Sequence, residues 1–152
     1  MKISKPLWEP SEHDVKKANM TRFMQFVNDK HPVHLNSYDM LYDWSINNIP
    51  DFWSAVLEYM QIKLTGEYDT VVDDLTIFPG AKWFEGSSLN FAENLLRYRD
   101  DHIAFIFKGE DKKSSRMTYL ELYNTVARLT RSLREIGIKP GDRVAAYMPN
   151  LI

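Results

Sequence analysis

Apolar side chains recur along the first half of this chain at helical spacing, and chemically distinct breaks separate the runs. Ser11 follows Pro10 and precedes Asp14, an arrangement that starts helices. Met20, Phe23, Met24 and Val27 then repeat at i, i+3, i+4 and i+7, which is one apolar helical face. His31-Pro32 ends it, because proline removes a donor from the helical ladder and crowds the preceding turn. A second short helix is expected from Ser37, with Tyr38, Leu41 and Tyr42 facing inward, and Asn47-Asn48-Ile49-Pro50 closing it. Asp51 is placed to cap a third helix carrying Trp53, Val56, Leu57, Met60 and Leu64, with Gly66 as its stop.

The helical period fades between Glu67 and Ser88. Val71-Val72 and Leu75-Thr76-Ile77-Phe78 suit short extended pieces, and Pro79-Gly80 marks a turn. Ser87-Ser88-Leu89-Asn90-Phe91-Ala92-Glu93 reads as the capping region of a helix running to about Arg99. Ile103 to Phe107 is a β-branched and aromatic run, hence a strand. Gly109 to Lys113 forms a polar hairpin loop, and Ser115 to Thr118 returns as the second strand. Thr118-Tyr119-Leu120-Glu121 is a capping box. Leu122, Val126, Leu129, Leu133 and Ile136 follow as a stripe that should bury one side of a helix against a sheet, with Gly137 as the C-terminal stop. Lys139-Pro140-Gly141-Asp142 fits a type II turn. Val144 to Met148 is a continuous apolar run, expected of a central strand covered on both faces.

These elements predict an α/β fold class. A helical extension (residues 1–86) precedes the first β-hairpin, helix and strand of a larger α/β domain, incomplete within residues 87–152. The second part is expected to pack poorly alone, and the helices around Trp53 to depend on it for burial.

Composition narrows the function classes. The chain has 152 residues, 44% hydrophobic and 13% aromatic, which supports a packed core and argues against disorder. The formal net charge of -2 gives no basic surface for nucleic acid. No cysteine is present, so disulfides, thiolate metal sites and cysteine nucleophiles are excluded. The first eight residues lack the apolar stretch of a signal peptide, and no segment approaches the ~20 apolar residues that cross a bilayer. Asn19-Met20-Thr21 matches a glycosylation acceptor, which without a secretion signal is read as chance.

Residues with chemical potential have structural readings that fit better. His31-x-x-His34 has metal-ligand spacing, but Pro32 prevents a helical pair and no third ligand lies near in sequence. Asp73-Asp74 could hold magnesium only if other oxygens converged; a pair of turn carboxylates is the simpler reading. Arg128, Arg131 and Arg134 form a basic stripe beside the apolar face of the last helix, read as a solvated face. Arg97 and Arg99 are expected at a helix C-terminus, where they complement its dipole. Ser87-Ser88 are expected to cap a helix, not to act as nucleophiles. Lys108-Gly109 and Pro140-Gly141 are too short to cradle phosphate, and six glycines are spread over the whole chain. Trp83, Phe84 and Phe91 are expected to pin a connector to the core. The residues therefore assign no catalytic, cofactor-binding or metal site.

The capping-box segment Met117-Thr118-Tyr119-Leu120-Glu121-Leu122 resembles the first core motif of the adenylate-forming enzymes, the superfamily of acyl-CoA synthetases, peptide-synthetase adenylation domains and luciferases. Gly137-Ile138-Lys139-Pro140-Gly141-Asp142-Arg143-Val144-Ala145 and Tyr147-Met148-Pro149-Asn150 are similar to the stretch that follows it there. Trp83-Phe84-x-Gly86-Ser87-x-Leu89-Asn90-x-Ala92-Glu93-Asn94-Leu95-Leu96-Arg97 resembles the N-terminal extension of the acetyl-CoA-synthetase branch. Leu7-Trp8-Glu9-Pro10, Arg22-Phe23, Ser37-Tyr38-x-x-Leu41-Tyr42-x-Trp44-Ser45 and Asp51-Phe52-Trp53 resemble the acetoacetyl-CoA synthetase family more than the acetate-activating enzymes.

That resemblance implies an N-terminal part of a ligase that joins acetoacetate to ATP, releasing pyrophosphate, and then to CoA, releasing AMP. It implies ATP, Mg and CoA for the full-length enzyme, acetoacetate as its small-molecule partner, and a cytosolic, ketone-body-activating role in lipid synthesis. It implies neither nucleic-acid nor membrane partners. The family's phosphate loop with its lysine, adenine motif, ribose aspartate and C-terminal-domain lysine are not found in residues 1–152. No catalytic residue carries over, and the isolated chain is expected to be inactive and to bind no cofactor. Two alternatives stand beside this reading: a piece of an acetyl- or propionyl-CoA synthetase, and a short non-catalytic product that binds a partner through an open sheet edge at Val144–Met148.

Overall fold

The computed structural model describes residues 7–110 and 113–149. The expectations on residues 1–6, on Asp111 and Lys112 in the hairpin loop, and on Asn150 lie outside the described residues. Backbone contacts divide the chain into two compact units, Met1–Leu89 and Asn90–Ile152.

The first unit is helical. α1 (Glu12–Lys17) starts at Ser11, whose hydroxyl accepts from Asp14 N while the Asp14 carboxylate accepts from Ser11 N, the expected capping box. The single helix expected from Ser11 is instead two. Ala18 turns to extended backbone (φ -61, ψ 140), and α2 (Asn19–Lys30) begins after it. His31 ends α2, its N–H donating to the Val27 carbonyl at 2.9 Å. α3 (Tyr38–Asn47) is capped by the Ser37 hydroxyl, as its sequence predicts.

α4 (Ile49–Tyr59) departs from its predicted limits at both ends. It begins before Asp51, with Asn48 as N-cap and Pro50 in the first turn, where a missing N–H costs nothing. It stops well short of Gly66. Gln61 takes a left-handed φ of 52°, its N–H donates to Glu58 O at 3.0 Å, and Ile62 N–H donates to Leu57 O at 3.1 Å. Those two bonds are a Schellman motif closed by a non-glycine residue. Leu64 therefore lies outside the helix.

The core sits among α2, α3, α4 and the loop at Leu35. Phe23, Val27, Leu35, Leu41, Trp44 and Ala55 are buried, with Met24, Phe26, Val33, Phe52, Val56 and Tyr59 packed against them. Phe23 meets Phe52 edge-on at 6.0 Å and Tyr59 at 5.2 Å. The Leu35 loop is held by the Asn28 amide, which donates to Leu35 O at 2.9 Å and accepts from Leu35 N at 2.7 Å. Tyr38 and Tyr42, expected inward, are exposed; Leu41 and Trp44 take the inner face. Trp53 and Met60 are likewise exposed, and Ala55, Phe52, Val56 and Tyr59 form the inner side of α4. The core closes within this unit, so the helices around Trp53 do not need the second unit for burial.

After α4 the chain is irregular. Thr65 bridges Ser88, and Val72 bridges Trp83, both antiparallel. Residues 75, 76 and 78 lie in turns, and the extended piece expected over 75–78 does not form.

In the second unit, α5 (Phe91–Leu95) is short, capped by the Asn90 side chain, which accepts from Glu93 N at 3.1 Å. It ends at Leu96 and not near Arg99. Ser87 and Ser88 do not cap it: the Ser87 hydroxyl donates to Phe84 O at 2.7 Å, and Ser88 is taken by the bridge to Thr65. β1 (Ile103–Lys108) pairs antiparallel with β2 (Ser114–Thr118), with a register irregularity between Ile103 and Phe105. α6 (Tyr119–Glu135) follows directly.

The predicted capping box of α6 is present. Thr118 Oγ1 accepts from Glu121 N at 3.2 Å, and Glu121 Oε2 accepts from Thr118 N at 2.8 Å. Thr118→Ala is expected to lower stability by about 1 kcal/mol, read as a shift in the urea midpoint with an unchanged slope. An unchanged midpoint would mean that the box does not hold the helix. At the other end Gly137 (φ 96°) and Ile138 donate to Arg134 O and Leu133 O, both at 3.0 Å, a second Schellman motif.

The turn at Lys139–Asp142 forms as predicted, Asp142 N donating to Lys139 O at 3.1 Å and Gly141 taking φ 97°. Two other expectations fail here. The α6 stripe is not buried: Leu122, Val126 and Leu133 are half-buried, and Leu129 and Ile136 are exposed. Val144 to Met148 forms no strand, since a strand is defined by ladder bonds and no described residue pairs with this run. The described structure is thus helices plus one two-stranded antiparallel sheet.

Candidate functional site

Chemistry-bearing side chains in the first unit are engaged in local structure. His31 packs its ring against Trp44 at 5.2 Å, while His34 is exposed, so the two histidines are not brought together as ligands. Among the described residues no group of three or more His, Asp or Glu side chains is arranged to hold a metal ion. Asp73 Oδ1 accepts from Asp74 N at 2.7 Å and Lys82 N at 2.8 Å, tying two ends of the irregular segment together. Asp74 Oδ1 accepts from Thr76 Oγ1 at 2.7 Å and Thr76 N at 2.8 Å. The pair holds the turns on either side of it.

The Thr76 hydroxyl, and then its backbone N–H, favour the ionised form and hold the Asp74 carboxyl below the usual carboxylate range. A depressed carboxylate stabilises the fold above its unfolded pKa and loses that contribution as pH falls through the lower folded value. An NMR titration of the side-chain carboxyls should find Asp74 titrating below the ordinary range. Thr76→Val should return it toward that range; no movement would show that Thr76 is not the cause.

Of the three aromatic groups expected to pin the connector to the core, Trp83 reaches a helix, at the exposed Trp53 of α4, and Phe84 meets only the connector itself. Trp83 packs edge-on against Trp53 at 6.0 Å, and Phe84 packs against Tyr68 at 5.0 Å. Phe91 is exposed on α5. Phe84 pays for its position with a left-handed φ of 49°. Trp53, Trp83, Ile77 and Pro79 contribute to a concave apolar surface of about 560 Å³. A second one, of about 310 Å³, lies between α2, α3 and α4 beside Tyr38, Leu41 and Met60. Neither presents a converging set of charged groups.

In the second unit Arg128 donates to Thr125 at 3.2 Å and Arg131 pairs with Glu135 one turn on at 2.8 Å. Arg131 and Arg134 edge a shallow hollow of about 550 Å³ floored by Val126 and Tyr123. Arg97 directly follows the C-cap of α5, Leu96, and Arg99 lies two residues on; their guanidinium groups stack on Tyr98 at 4.9 Å and Tyr123 at 4.0 Å.

A pairing that sequence reasoning missed is Asp100 with His102. His102 Nδ1 lies 3.1 Å from Asp100 Oδ1, and the same oxygen accepts from His102 N at 3.1 Å. These bonds hold the Asp100 carboxyl below its ordinary range. The backbone carbonyls of Asp100 and His102 accept from Leu120 N and Tyr119 N, both at 3.0 Å. Those donors are in the first turn of α6, where the helix supplies no acceptor. The pair thus clips the start of β1 to the start of α6. Its sequence signal, an aspartate two residues before a histidine at a strand start, is too common to single out. The Arg131–Glu135 and Asp100–His102 pairs lie at the surface of their unit.

No helix among the described residues is long and apolar enough to cross a membrane. Residues 38–95 match the family described as acetyl-coenzyme A synthetase N-terminus, and residues 91–152 match the family described as AMP-binding enzyme. The chain is 41% identical over 99% of its length to an acetoacetyl-coenzyme A synthetase of Rhizobium meliloti, covering 23% of that protein. It is 40% identical over 97% of its length to an acetoacetyl-CoA synthetase of Danio rerio, covering 22% of it. The solved structure of acetoacetyl-CoA synthetase from Streptomyces lividans superposes with a TM-score of 0.85 at 36% identity, over 97% of this chain and 23% of that one. The chain spans less than a quarter of the length of the relatives it matches. In sequence and fold alike, this chain is similar to a piece of the acetoacetyl-CoA synthetases, with its first part matching the acetyl-coenzyme A synthetase N-terminus and its second the AMP-binding enzymes.

Proposed function

We propose that this chain supplies the N-terminal part of an ATP-dependent acetoacetate–CoA ligase. Residues 1–86 serve as its helical extension and residues 87–152 as the opening of its AMP-binding domain. The whole enzyme would join acetoacetate to ATP with release of pyrophosphate, then transfer the acyl group to CoA with release of AMP, using Mg with the nucleotide, in the cytosol. The residues described here frame that chemistry and do not perform it. The capping box at Thr118–Glu121, the Asp100–His102 clip and the Pro140-Gly141 turn set where α6 begins and how the chain leaves it. No residue of this chain is assigned to catalysis, to ATP or CoA, or to a metal.

The observation that carries the reading is near-complete collinear similarity to acetoacetyl-CoA synthetases joined to a superposition on one of them. The meeting of two family matches at residues 91–95, beside the division of the structure at Leu89–Asn90, supports a boundary near residues 86–90.

The test is acetoacetate-dependent ATP–pyrophosphate exchange. The purified 152-residue chain is expected to show none above background. A chimera joining it to the remaining length of the Streptomyces lividans enzyme is expected to show exchange and CoA-dependent AMP release. Exchange by the chain alone, or a folded chimera without turnover, would overturn the proposal.

A further inference from the structure

Residues 60–89 form no helix and no strand of the sheet, yet they are tied together at two levels. At the base, Thr65 N donates to Ser88 O at 2.8 Å and Ser88 N donates to Thr65 O at 2.9 Å. Farther in, Phe84 N donates to Val71 O at 2.9 Å and Asp73 N donates to Lys82 O at 3.1 Å. The two arms can approach at the base because Gly66 and Gly86 carry no Cβ. The returning arm is also joined to the helices. Trp83 meets Trp53 of α4 at 6.0 Å, and Ile77 and Ala81 share one apolar hollow with Ile46 and Ile49.

Closing a loop of this length costs entropy, and its backbone bonds offset that cost only where packing holds both arms. The packing comes from α3 and α4, which also supply Leu41, Trp44 and Ala55 to the buried core. The closed loop and the helices therefore stabilise each other, and every partner named in this closure lies before residue 90. We infer that the Thr65–Ser88 clasp closes residues 7–89 into a unit that folds and unfolds as one, whatever the state of the chain that follows. The cooperative limit is then the clasp and not the end of α4. During synthesis from the N-terminus such a unit is complete once Leu89 is free, so Phe23, Val27 and Trp44 are covered before β1 and α6 exist. The inference does not depend on the functional reading above and holds or fails apart from it.

All four tryptophans, Trp8, Trp44, Trp53 and Trp83, belong to this unit, so tryptophan emission in urea follows it alone within the whole 152-residue chain. Ala127→Pro breaks α6 at an exposed position, removing a helical donor and crowding the preceding turn. The far-UV circular dichroism signal is expected to fall while the tryptophan midpoint stays at the parent value. Gly86→Ala opens the clasp and is expected to lower that midpoint by about 1 M urea or more, with a single transition retained. Amide exchange in Gly86→Ala should speed up in α2, α3 and α4 together with Thr65 and Ser88. A tryptophan midpoint that falls with Ala127→Pro shows a unit that leans on residues 90 onward and overturns the inference. So does a Gly86→Ala variant whose exchange changes only within 60–89, because the clasp would then close a separate loop. If Ala127→Pro aggregates, limited proteolysis of the unaltered chain decides. First cuts beyond residue 89 that leave a fragment with native tryptophan emission support the inference, and first cuts between α1 and Ser88 overturn it.

Discussion

Trp44→Ala is expected to destabilise the helical unit by roughly 3–5 kcal/mol, the range for removing a large aromatic from a packed interior. Trp44 is 8% exposed on the inner face of α3 and meets His31 at 5.2 Å and Phe52 at 6.3 Å. Its removal leaves a void bordered by the His31 ring and by Phe52 of α4. Against a net stability of about 5–15 kcal/mol the loss is large. The matched control is Tyr42→Ala. Tyr42 is 52% exposed on the same helix, its ring stacked against the exposed Tyr38 at 6.4 Å, and its loss should cost under about 1 kcal/mol. Urea unfolding followed by far-UV circular dichroism separates the two. Equal effects would show that the assignment of inner and outer faces of α3 is wrong.

Gly86→Ala is expected to be the other costly change, at roughly 2–4 kcal/mol when backbone strain and a backbone clash combine. Gly86 has φ 93°, and a Cβ there would stand 2.7 Å from the Glu67 carbonyl oxygen. Gly66 is its counterpart: φ 84°, with a Cβ position 2.8 Å from Gly86 O. The two glycines lie beside the antiparallel bridge of Thr65 and Ser88, where the segments cross closely: a Cβ on Gly66 meets the Gly86 carbonyl, and one on Gly86 meets the Glu67 carbonyl. Because the atoms met are backbone, no rotamer change relieves the contact. Gly66→Ala should cost a similar amount, and the double variant less than the sum, since both disrupt one crossing. Gly137→Ala is the control: φ is also positive, but no atom lies within 4 Å of the Cβ position, leaving strain alone. Melting temperatures in that order check the argument. A Gly86→Ala variant as stable as the parent would show that the crossing does not exist.

Local chemistry made much of this fold legible beforehand. Ser11 with Asp14, Ser37, and Thr118 with Glu121 each place an oxygen where the first N–H groups of a helix need an acceptor, and each marks the helix start that is observed. Gly137 and the Pro140-Gly141 pair mark φ values that neighbouring residues adopt only with strain, and the chain turns at both. Such signals work because donor, acceptor and dihedral lie within four residues of one another. The motifs around Trp83–Arg97 and Met117–Asn150 likewise indicate the family without any knowledge of contacts.

What tertiary structure alone decided concerns partners distant in sequence. Leu41 faces inward as its spacing predicts, but the choice of Trp44 over Tyr38 and Tyr42 beside it depends on where α4 lies, not on the spacing within α3. The end of α4 at Tyr59 carries no glycine signal, and the left-handed Gln61 that follows its cap is tolerable only because two backbone bonds hold it. Gly66, read as that helix's stop, is used instead for a close approach to a residue twenty positions on, which no local pattern reveals. The Asn28 amide clamping Leu35, and Asp100 with His102 meeting the first turn of α6, are bonds of the same kind. Val144 to Met148 shows the converse. Its composition sets a preference for extended backbone, but a strand exists only when another strand accepts its ladder bonds, and that partner is not written in the run itself. The sequence by itself thus determined where helices start, where the backbone turns and which family the chain resembles, because those depend on near neighbours. Which faces are buried, where α4 stops and whether an apolar run pairs were decided only by packing, because each depends on atoms that folding alone brings together.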